Sequence, residues 1–257
     1  MKNQLEKLIR EFIKKYQEDN DIESGWKEPL ISYADASDKR FYKLKEIVSP
    51  SHAMPQDFLP GAKTVVSYFI PFEDFIVESN IEGRISSKIW ARAYIETNKL
   101  IFDLNSYIKN ELEKLGYKSN IIPATHNFDT TKLISDWSHR HVAYISGLGT
   151  FGLNNMLITE KGCCGRVGSF VTDLELEPSN IKEGENCLYK RNNVCKKCVA
   201  RCVNDALKVE SFDRHKCYEM CLSNAEVHSE IGLSDVCGKC LVNLPCSTKN
   251  PVRLIDK

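Results

Sequence analysis

Apolar residues recur at helical intervals in two parts of the first 120 residues. Near the start of the chain they lie three or four positions apart, at Leu5, Leu8, Ile9, Phe12, Ile13 and Tyr16. This spacing predicts an amphipathic helix over residues 5–20. The same spacing continues over residues 86–115 and stops at Gly116, a residue type that often ends helices. One long helix, or two, is therefore predicted there.

Short apolar runs bounded by turn residues predict strands. Pro60 and Gly61 mark a turn before a β-rich run at residues 64–70, and shorter or weaker strand patterns follow at residues 119–123 and 167–176. The Gly- and Pro-containing stretch before this turn is predicted to be irregular. A further helix is predicted over residues 132–145. Because helices and strands are intermixed, the pattern indicates an α+β, or mixed α/β, core.

The C-terminal part of the chain is rich in cysteine, which indicates a second kind of domain. Nine of the eleven cysteines lie between Cys187 and Cys246, and an acidic segment at residues 177–185 precedes them. A chain of 257 residues is long enough for one large and one small domain. We therefore predict an α/β domain over residues 1–180 and a small cysteine-rich domain over residues 181–257.

Charge and hydropathy narrow the protein class. Lys+Arg and Asp+Glu number 35 each, so no overall field attracts nucleic acid or an anionic membrane. No apolar run approaches the roughly 18–20 residues needed to span a bilayer, and the charged N-terminus does not resemble a signal peptide. A cytoplasmic protein without membrane contact is expected. In that reducing compartment, CxxC pairs and an odd cysteine count favour metal ligation over disulfides.

The nine clustered cysteines form two groups, each with a CxxC pair. Cys195, Cys198 and Cys202 have the spacing of the last three cysteines in the bacterial ferredoxin motif C-x2-C-x2-C-x3-C-P. Asn192 occupies the position of the first cysteine, and a valine replaces the proline. Cys187 is the expected substitute for the first cysteine.

Two [4Fe-4S] clusters are predicted from these groups. In two-cluster ferredoxins the final cysteine of each motif ligates the other cluster. The same crossing assigns one cluster to Cys187, Cys195, Cys198 and Cys246. It assigns the second cluster to Cys202, Cys217, Cys237 and Cys240, with Cys221 as a spare thiol nearby. The alternative is a structural zinc ion on the two CxxC pairs, for which nine clustered cysteines are too many.

Basic residues accompany the first cysteine group without any acidic residue between Cys187 and Cys202. They could dock an acidic electron donor such as a ferredoxin or flavodoxin. Alternatively, they could offset the negative charge of a thiolate-bound cluster. The sequence leaves both open for Lys190, Arg191, Lys196, Lys197 and Arg201.

Three smaller features are candidates for local structure or for chemistry. The glycines of the segment SGLGTFG, at residues 146–152, could let backbone amides approach a ligand, or could form a tight turn. Asp129, which precedes an apolar periodic run, could cap a helix that begins near Lys132. Cys163 and Cys164 could be buried thiols, the commoner fate of free cysteine, or could take part in ligation or catalysis.

Several segments together resemble the epoxyqueuosine reductase family. LPGAKTVVSYFIPF, the long segment from FDTTKLISDWSHRH to CCGRVGSFVTDLEL and the paired cysteine groups follow in that order over residues 55–250. The resemblance implies a nitroreductase-like, cobalamin-binding domain followed by a two-cluster ferredoxin-like domain. Family members reduce an epoxide in a modified tRNA nucleoside, and reductive dehalogenases are similar in their two-part organisation.

The resemblance also implies roles for single residues. Asp129 matches the proton donor near cobalt, provided that burial raises its pKa. His126, His139 and His141 could supply an axial ligand to cobalt, although such histidines are more often surface or core residues. The residues expected to bind the corrin are Gly147, Gly149, Gly152, Asn154, Asn155 and Arg92.

The chain also departs from the family pattern. Around Arg92 and Tyr94, the acid and histidine of the family motif are absent, and no helical-repeat domain follows the cysteines. With zero net charge, a tRNA substrate is disfavoured. We expect a reductase that receives electrons from a small donor protein and delivers them through two clusters to cobalamin, the substrate being unknown. The alternative is a corrinoid-free iron–sulfur electron carrier or reductase that serves a partner protein.

Overall fold

The helices and strands of the N-terminal part build a four-stranded sheet with helices on both faces. A computed structural model describes residues 1–124, 127–181 and 183–252. In chain order its elements are α1 (Lys2–Asp19), β1 (Leu30–Asp35), α2 (Arg40–Ile47), α3 (Pro55–Phe58), β2 (Thr64–Pro71), α4 (Asp74–Ser79), α5 (Lys88–Lys114), β3 (Ser119–Ile121), α6 (His139–Ile145), β4 (Gly149–Phe151), β5 (Leu157–Thr159), β6 (Gly165–Thr172), α7 (Leu188–Asn192), α8 (Lys197–Ala200) and α9 (Arg214–Val227).

The sheet is antiparallel, with the strand order β1-β2-β6-β3. β2 and β6 pair along their whole length, from Thr64 opposite Thr172 to Pro71 opposite Gly165. Every residue of β2 is buried, because helices cover the sheet on both sides. A separate two-stranded ribbon, β4 paired with β5, follows α6. The fold is therefore mixed α/β with an antiparallel sheet, as expected.

Alternate residues of the central strands face two different helix layers. Val66, Tyr68 and Ile70 pack in one apolar cluster with the buried faces of α1 and α5. Val65 and Val171 pack in a second cluster with residues of α2 and α6. This alternation follows from the two-residue repeat of a strand, and it explains why β2 is continuously apolar.

The strongest periodic predictions are confirmed. α1, α5 and β2 form where the apolar pattern placed them. α5 is one unbroken helix, begun by the Ser87 side chain, which accepts a hydrogen bond from the Trp90 backbone N–H. Gly116 follows its end with a φ of +84°, a conformation that favours glycine. Among the described residues, no helix is long and apolar enough to cross a membrane.

Two weaker predictions are wrong in part. No helix begins near Lys132: α6 starts only at His139, and an isolated bridge joins Asp129 to Ile134 in the preceding segment. Leu133 has a φ of +54° there, which a helix does not accommodate. The stretch predicted to be irregular contains β1, whose half-buried edge position left only a short strand pattern.

The cysteine-rich part packs directly on the sheet-bearing part. Leu241 and Val242 belong to the same apolar cluster as the buried residues of α1 and α5. The backbone N–H of Cys163 donates to the Cys246 carbonyl at 3.0 Å. Gly162 permits this approach, since a Cβ atom there would lie 2.4 Å from the Ser247 carbonyl oxygen. The boundary at residues 180 and 181 stays a prediction, but the two parts share a core.

The buried pair Tyr68 and Asn105 provides a test of the core. The Tyr68 hydroxyl donates to the Asn105 side-chain oxygen at 2.8 Å, and both residues are buried. Tyr68→Phe leaves that oxygen without its donor, so we expect a loss of about 1–3 kcal/mol in the free energy of unfolding. Denaturant unfolding under argon measures it. Adding Asn105→Leu should recover part of the loss, and an unchanged midpoint for Tyr68→Phe would contradict this account.

Candidate functional site

Four of the predicted cluster cysteines line one cavity. Cys187 precedes α7, Cys195 and Cys198 form the first CxxC pair, and Cys246 comes from the far end of the cysteine-rich part. The cavity is partly open to solvent, and its volume is about 20 Å³. The rest of its lining is mostly apolar, namely Leu153, Asn154, Ile158, Leu188, Leu244, Pro245 and Pro251.

Burial keeps the Cys198 thiol of this cavity protonated when it has no ligand. Burial, followed by the neighbouring Cys246, Cys187 and Cys195, raises the pKa of Cys198 to about 12. A thiolate in such surroundings needs a positive centre to compensate its charge. The first cysteine set therefore has the chemistry of a metal-centre ligand set.

The second predicted set also gathers in one place. Burial raises the pKa of Cys240 well above its ordinary value, and Cys237, Cys217 and Cys202 contribute in turn. The Leu207 backbone N–H donates to the Cys202 sulfur at 3.3 Å. α9 carries Cys217 and, one helical turn later, Cys221, and a hydrogen bond joins their thiols. Five thiols thus lie in this region.

The two sets are neighbours, because Cys198 also raises the pKa of Cys240. Throughout residues 1–124, 127–181 and 183–252, no three His, Cys, Asp or Glu side chains form a group that could hold a single metal ion. The thiols of the first set surround a cavity instead.

A buried indole lies against the second CxxC turn. Gly238 has a φ of +72°, and a Cβ atom there would lie 2.3 Å from the Trp90 ring. The Trp90 Nε1–H is buried and has no hydrogen-bond partner among the described residues. Buried N–H groups are nearly always paired. An unpaired donor beside Cys237 and Cys240 is expected where a bound group, such as inorganic sulfide, accepts its hydrogen bond.

Cys163 and Cys164 are both buried, and they lie immediately behind the ligand-bearing segments. A hydrogen bond with Cys163, and then burial, raise the pKa of Cys246. The Cys164 thiol donates to the Leu241 carbonyl at 3.2 Å. The two thiols therefore pack beside both cysteine sets without belonging to either predicted ligand set.

The protein itself fills the space beside the glycine-rich segment. A Cβ atom at Gly149 would lie 2.4 Å from the Ile158 carbonyl oxygen, and one at Gly152 would lie 2.6 Å from the Asn154 side chain. Gly147 has a φ of +80° in the turn after α6. The tight β4–β5 ribbon accounts for Gly149 and Gly152, and the turn after α6 accounts for Gly147, which makes the turn interpretation sufficient.

The other residues assigned to the corrin make separate contacts. Asn154 is buried, lines the thiol cavity and donates to the Cys240 carbonyl at 3.2 Å. Asn155 is exposed, and its carbonyl accepts from Arg140 at 2.7 Å. Arg92 forms an ion pair with Glu23. These contacts do not form a common cradle, so the residues as placed do not fit a corrin as a group.

Asp129 lies in an exposed turn that packs on α9. Its carboxylate accepts the backbone N–H groups of Thr131 and Lys132, each at 2.8 Å. The Lys132 hydrogen bond is the main cause that lowers its pKa. Because Asp129 is exposed, the condition set for proton donation, a pKa raised by burial, is absent in this conformation. The Phe128 ring contacts Tyr218 of α9, with centroids 6.2 Å apart.

A polar cluster that the sequence did not reveal lies beside the second cysteine set. The Arg166 guanidinium covers the Tyr94 ring at 4.4 Å and donates to the Asn98 side-chain oxygen at 2.6 Å. The Tyr94 hydroxyl donates to Asp235 at 2.7 Å, two residues before Cys237. Burial raises the pKa of Tyr94 to about 12. The sequence feature that could have revealed this cluster is an arginine within the apolar strand β6.

The histidines proposed as axial ligands have different fates. Both ring nitrogens of His139 are engaged, Nδ1 with the Ser169 hydroxyl at 2.7 Å and Nε2 with the Pro123 carbonyl at 3.0 Å. His141 contacts the Ser138 hydroxyl through Nδ1 at 2.7 Å. His126 lies outside the described residues. His139 is thus a core residue with satisfied hydrogen bonds.

Acidification should destabilise the protein through His139. Burial lowers its pKa from 6.5 to about 4, so the unfolded chain takes up a proton at higher pH than the folded one. The stabilisation present above pH 6.5 is lost as pH falls towards 4, by roughly 3 kcal/mol. Thermal unfolding at pH 7, 6 and 5 should show a smaller decline for His139→Gln than for wild type. His215→Gln, at an exposed position, serves as control; equal slopes in all three proteins would contradict the assignment.

The fold is that of the epoxyqueuosine reductases and reductive dehalogenases. An epoxyqueuosine reductase from Bacillus subtilis, solved with its catalytic aspartate loop swung out of the active site, matches 96% of this chain at 17% identity, with a TM-score of 0.61. An epoxyqueuosine reductase solved with an epoxyqueuosine-modified tRNA stem loop matches 93% of the chain at 18% identity, with a TM-score of 0.57.

A reductive dehalogenase whose structure suggests a mechanism for B12-dependent dehalogenation matches 88% of the chain at 19% identity, with a TM-score of 0.56. The present chain spans 66% of the B. subtilis enzyme, 65% of the tRNA-bound one and 31% of this dehalogenase. No family model and no curated protein matches the sequence. At these identities the likeness concerns the fold.

Proposed function

We propose that this protein is an iron–sulfur reductase with two [4Fe-4S] clusters. Cys187, Cys195, Cys198 and Cys246 hold the first cluster. Cys202, Cys217, Cys237 and Cys240 hold the second. The observation that carries the proposal is the single cavity lined by the four cysteines of the first set, because Cys246 comes from the other cysteine group, as crossed ligation requires.

The surrounding residues suit such clusters. When bound, thiolate-held cubanes supply one-electron transfer at low potential. The apolar lining of the first cavity excludes water from the sulfur atoms, and the Leu207 N–H donates to the Cys202 sulfur. The unpaired Trp90 Nε1–H provides a donor for the second cluster. Such N–H···S contacts are among the levers that set cluster potentials.

Electrons enter, in this proposal, from a small acidic donor protein in the cytoplasm. Lys190, Lys196 and Lys197 are exposed beside the first cysteine set, where they can attract an acidic ferredoxin or flavodoxin. Arg201 is different, since it donates to the Lys239 and Ile81 carbonyls. The docking interpretation therefore applies to the lysines, while Arg201 has a structural contact.

A corrinoid is the second part of the proposal, and it rests on the fold. The support is the likeness to a dehalogenase studied for B12-dependent chemistry. The alternative, a corrinoid-free reductase or electron carrier, is favoured by the internal contacts of the glycines, Asn155 and Arg92. The substrate is left open, and tRNA stays disfavoured because the chain has balanced charge.

Metal content tests the cluster assignment. Protein purified without air should contain about eight iron and eight sulfide per chain, the content of two cubanes. Cys237→Ala should lower both to about half, because one cluster loses a ligand. Cys221→Ala removes the spare thiol, one helical turn after Cys217 on α9, and should keep the full iron and sulfide content. Zinc in place of iron, or no metal, would overturn the proposal.

Cobalamin titration separates the two versions of the function. Adding cobalamin to the iron-loaded protein under argon should give a one-to-one complex with a changed cobalt absorption spectrum. The control is the same titration with the Cys237→Ala protein, which reports whether binding depends on the second cluster. Absence of binding to fully iron-loaded protein would reject the corrinoid version and favour the corrinoid-free one.

A further inference from the structure

Lys239 is a buried cation held by backbone carbonyls. It lies inside the second CxxC turn and is only 1% exposed. Its ammonium donates to two backbone carbonyls, that of Asn80 at 3.0 Å and that of Glu82 at 2.7 Å. Among the described residues it forms no ion pair with a carboxylate. Carbonyl dipoles satisfy its hydrogen bonds, and the Glu82 carboxylate offsets part of its charge without forming an ion pair.

A second cation strengthens the positive field at this turn. Arg201 donates through Nε to the Lys239 carbonyl at 3.1 Å and through Nη2 to the Ile81 carbonyl at 2.6 Å. It directly precedes Cys202, and it likewise forms no carboxylate ion pair among the described residues. Two cations thus converge on the consecutive carbonyls of residues 80–82, beside the thiols of the second set.

Burying an unpaired charge is costly unless an opposite charge lies nearby. The groups of opposite sign here are the sulfur ligands of the proposed cluster, since Lys239 lies between Cys237 and Cys240 in the second CxxC turn. A cubane held by four thiolates is a net anion and becomes more negative on reduction. A fixed positive charge next to it therefore stabilises the reduced form more than the oxidised form.

The first CxxC pair contains a natural comparison. Lys197 precedes Cys198 as Lys239 precedes Cys240, but Lys197 is exposed. Water and salt screen a charge at the surface, whereas a buried charge acts in a lower dielectric. A lysine at the same motif position therefore has a stronger electrostatic effect in the second cysteine group, where it is buried, than in the first, where it is exposed.

We propose that Lys239 makes the two clusters unequal, raising the reduction potential of the cluster on Cys202, Cys217, Cys237 and Cys240 above that of the other. This rests on the proposed function. In each transfer the first cluster, beside the exposed lysines, is oxidised by one electron and the second is reduced by one. The electron then resides next to the polar cluster of Tyr94, Arg166 and Asp235.

A potentiometric titration followed by electron paramagnetic resonance tests this inference. Wild-type protein should show two midpoint potentials. In Lys239→Met the higher one should fall, so that the reduced-to-oxidised ratio at the wild-type midpoint drops at least tenfold, a shift of about 59 mV for one electron. The lower midpoint should stay in place. Lys197→Met is the matched control and should move either midpoint by much less.

Further variants separate charge from hydrogen bonding. Lys239→Gln keeps an N–H donor without the charge and should resemble Lys239→Met, while Lys239→Arg should stay near wild type. If Lys239→Gln has the wild-type potential, Lys239 acts only through its hydrogen bonds to the backbone carbonyls, and the inference fails. It also fails if wild-type protein shows a single midpoint, a result that needs no variant.

Iron and sulfide analysis of each sample keeps the two proposals apart. Full cluster content with equal or unshifted potentials would reject the role of Lys239 and leave the iron–sulfur function intact. A wild-type protein without iron would reject the function itself.

Discussion

The structure depends on hydrogen bonds to buried backbone groups that hold the cysteine-bearing turns against the sheet-bearing part. The Cys163 N–H donates to the Cys246 carbonyl, and the side-chain amides of Asn80 and Asn154 donate to the carbonyls of Cys237 and Cys240. Thiols make weak hydrogen bonds, so their positions have to come from the backbone. These contacts bring sulfur atoms that are distant in the sequence together before any ligand is bound.

The same arrangement also determines the electrostatic surroundings of the second cysteine set. The loop before α5 supplies carbonyls to Lys239 and Arg201, and the buried face of α5 supplies Trp90 against Gly238. The large part of the protein therefore provides the cations' partners and the indole, while the cysteine-rich part provides the thiols. Neither part would present the same electrostatic environment alone, which makes the shared core relevant to the proposed redox function.

The residues implied by resemblance and those brought together by the fold overlap only in part. The cysteine sets gather as the crossed motif predicted, although their ligand roles remain proposals. The corrin residues and Asp129 instead engage in local contacts: the glycines with the β4–β5 ribbon, Arg92 with Glu23 and Asp129 with its own turn.

Elements with strong local periodicity, and the cysteine motifs, can be predicted from the chain alone. α1, α5 and β2 followed from repeats of 3.6 and 2 residues, and the CxxC pairs are local in the chain. The burial of Lys239 but not of Lys197, the contact of Gly149 with Ile158 and the position of Arg166 over Tyr94 come instead from the packing of the folded chain. These outcomes depend on which distant segments pack against each residue, and periodicity along the chain contains no information about that packing.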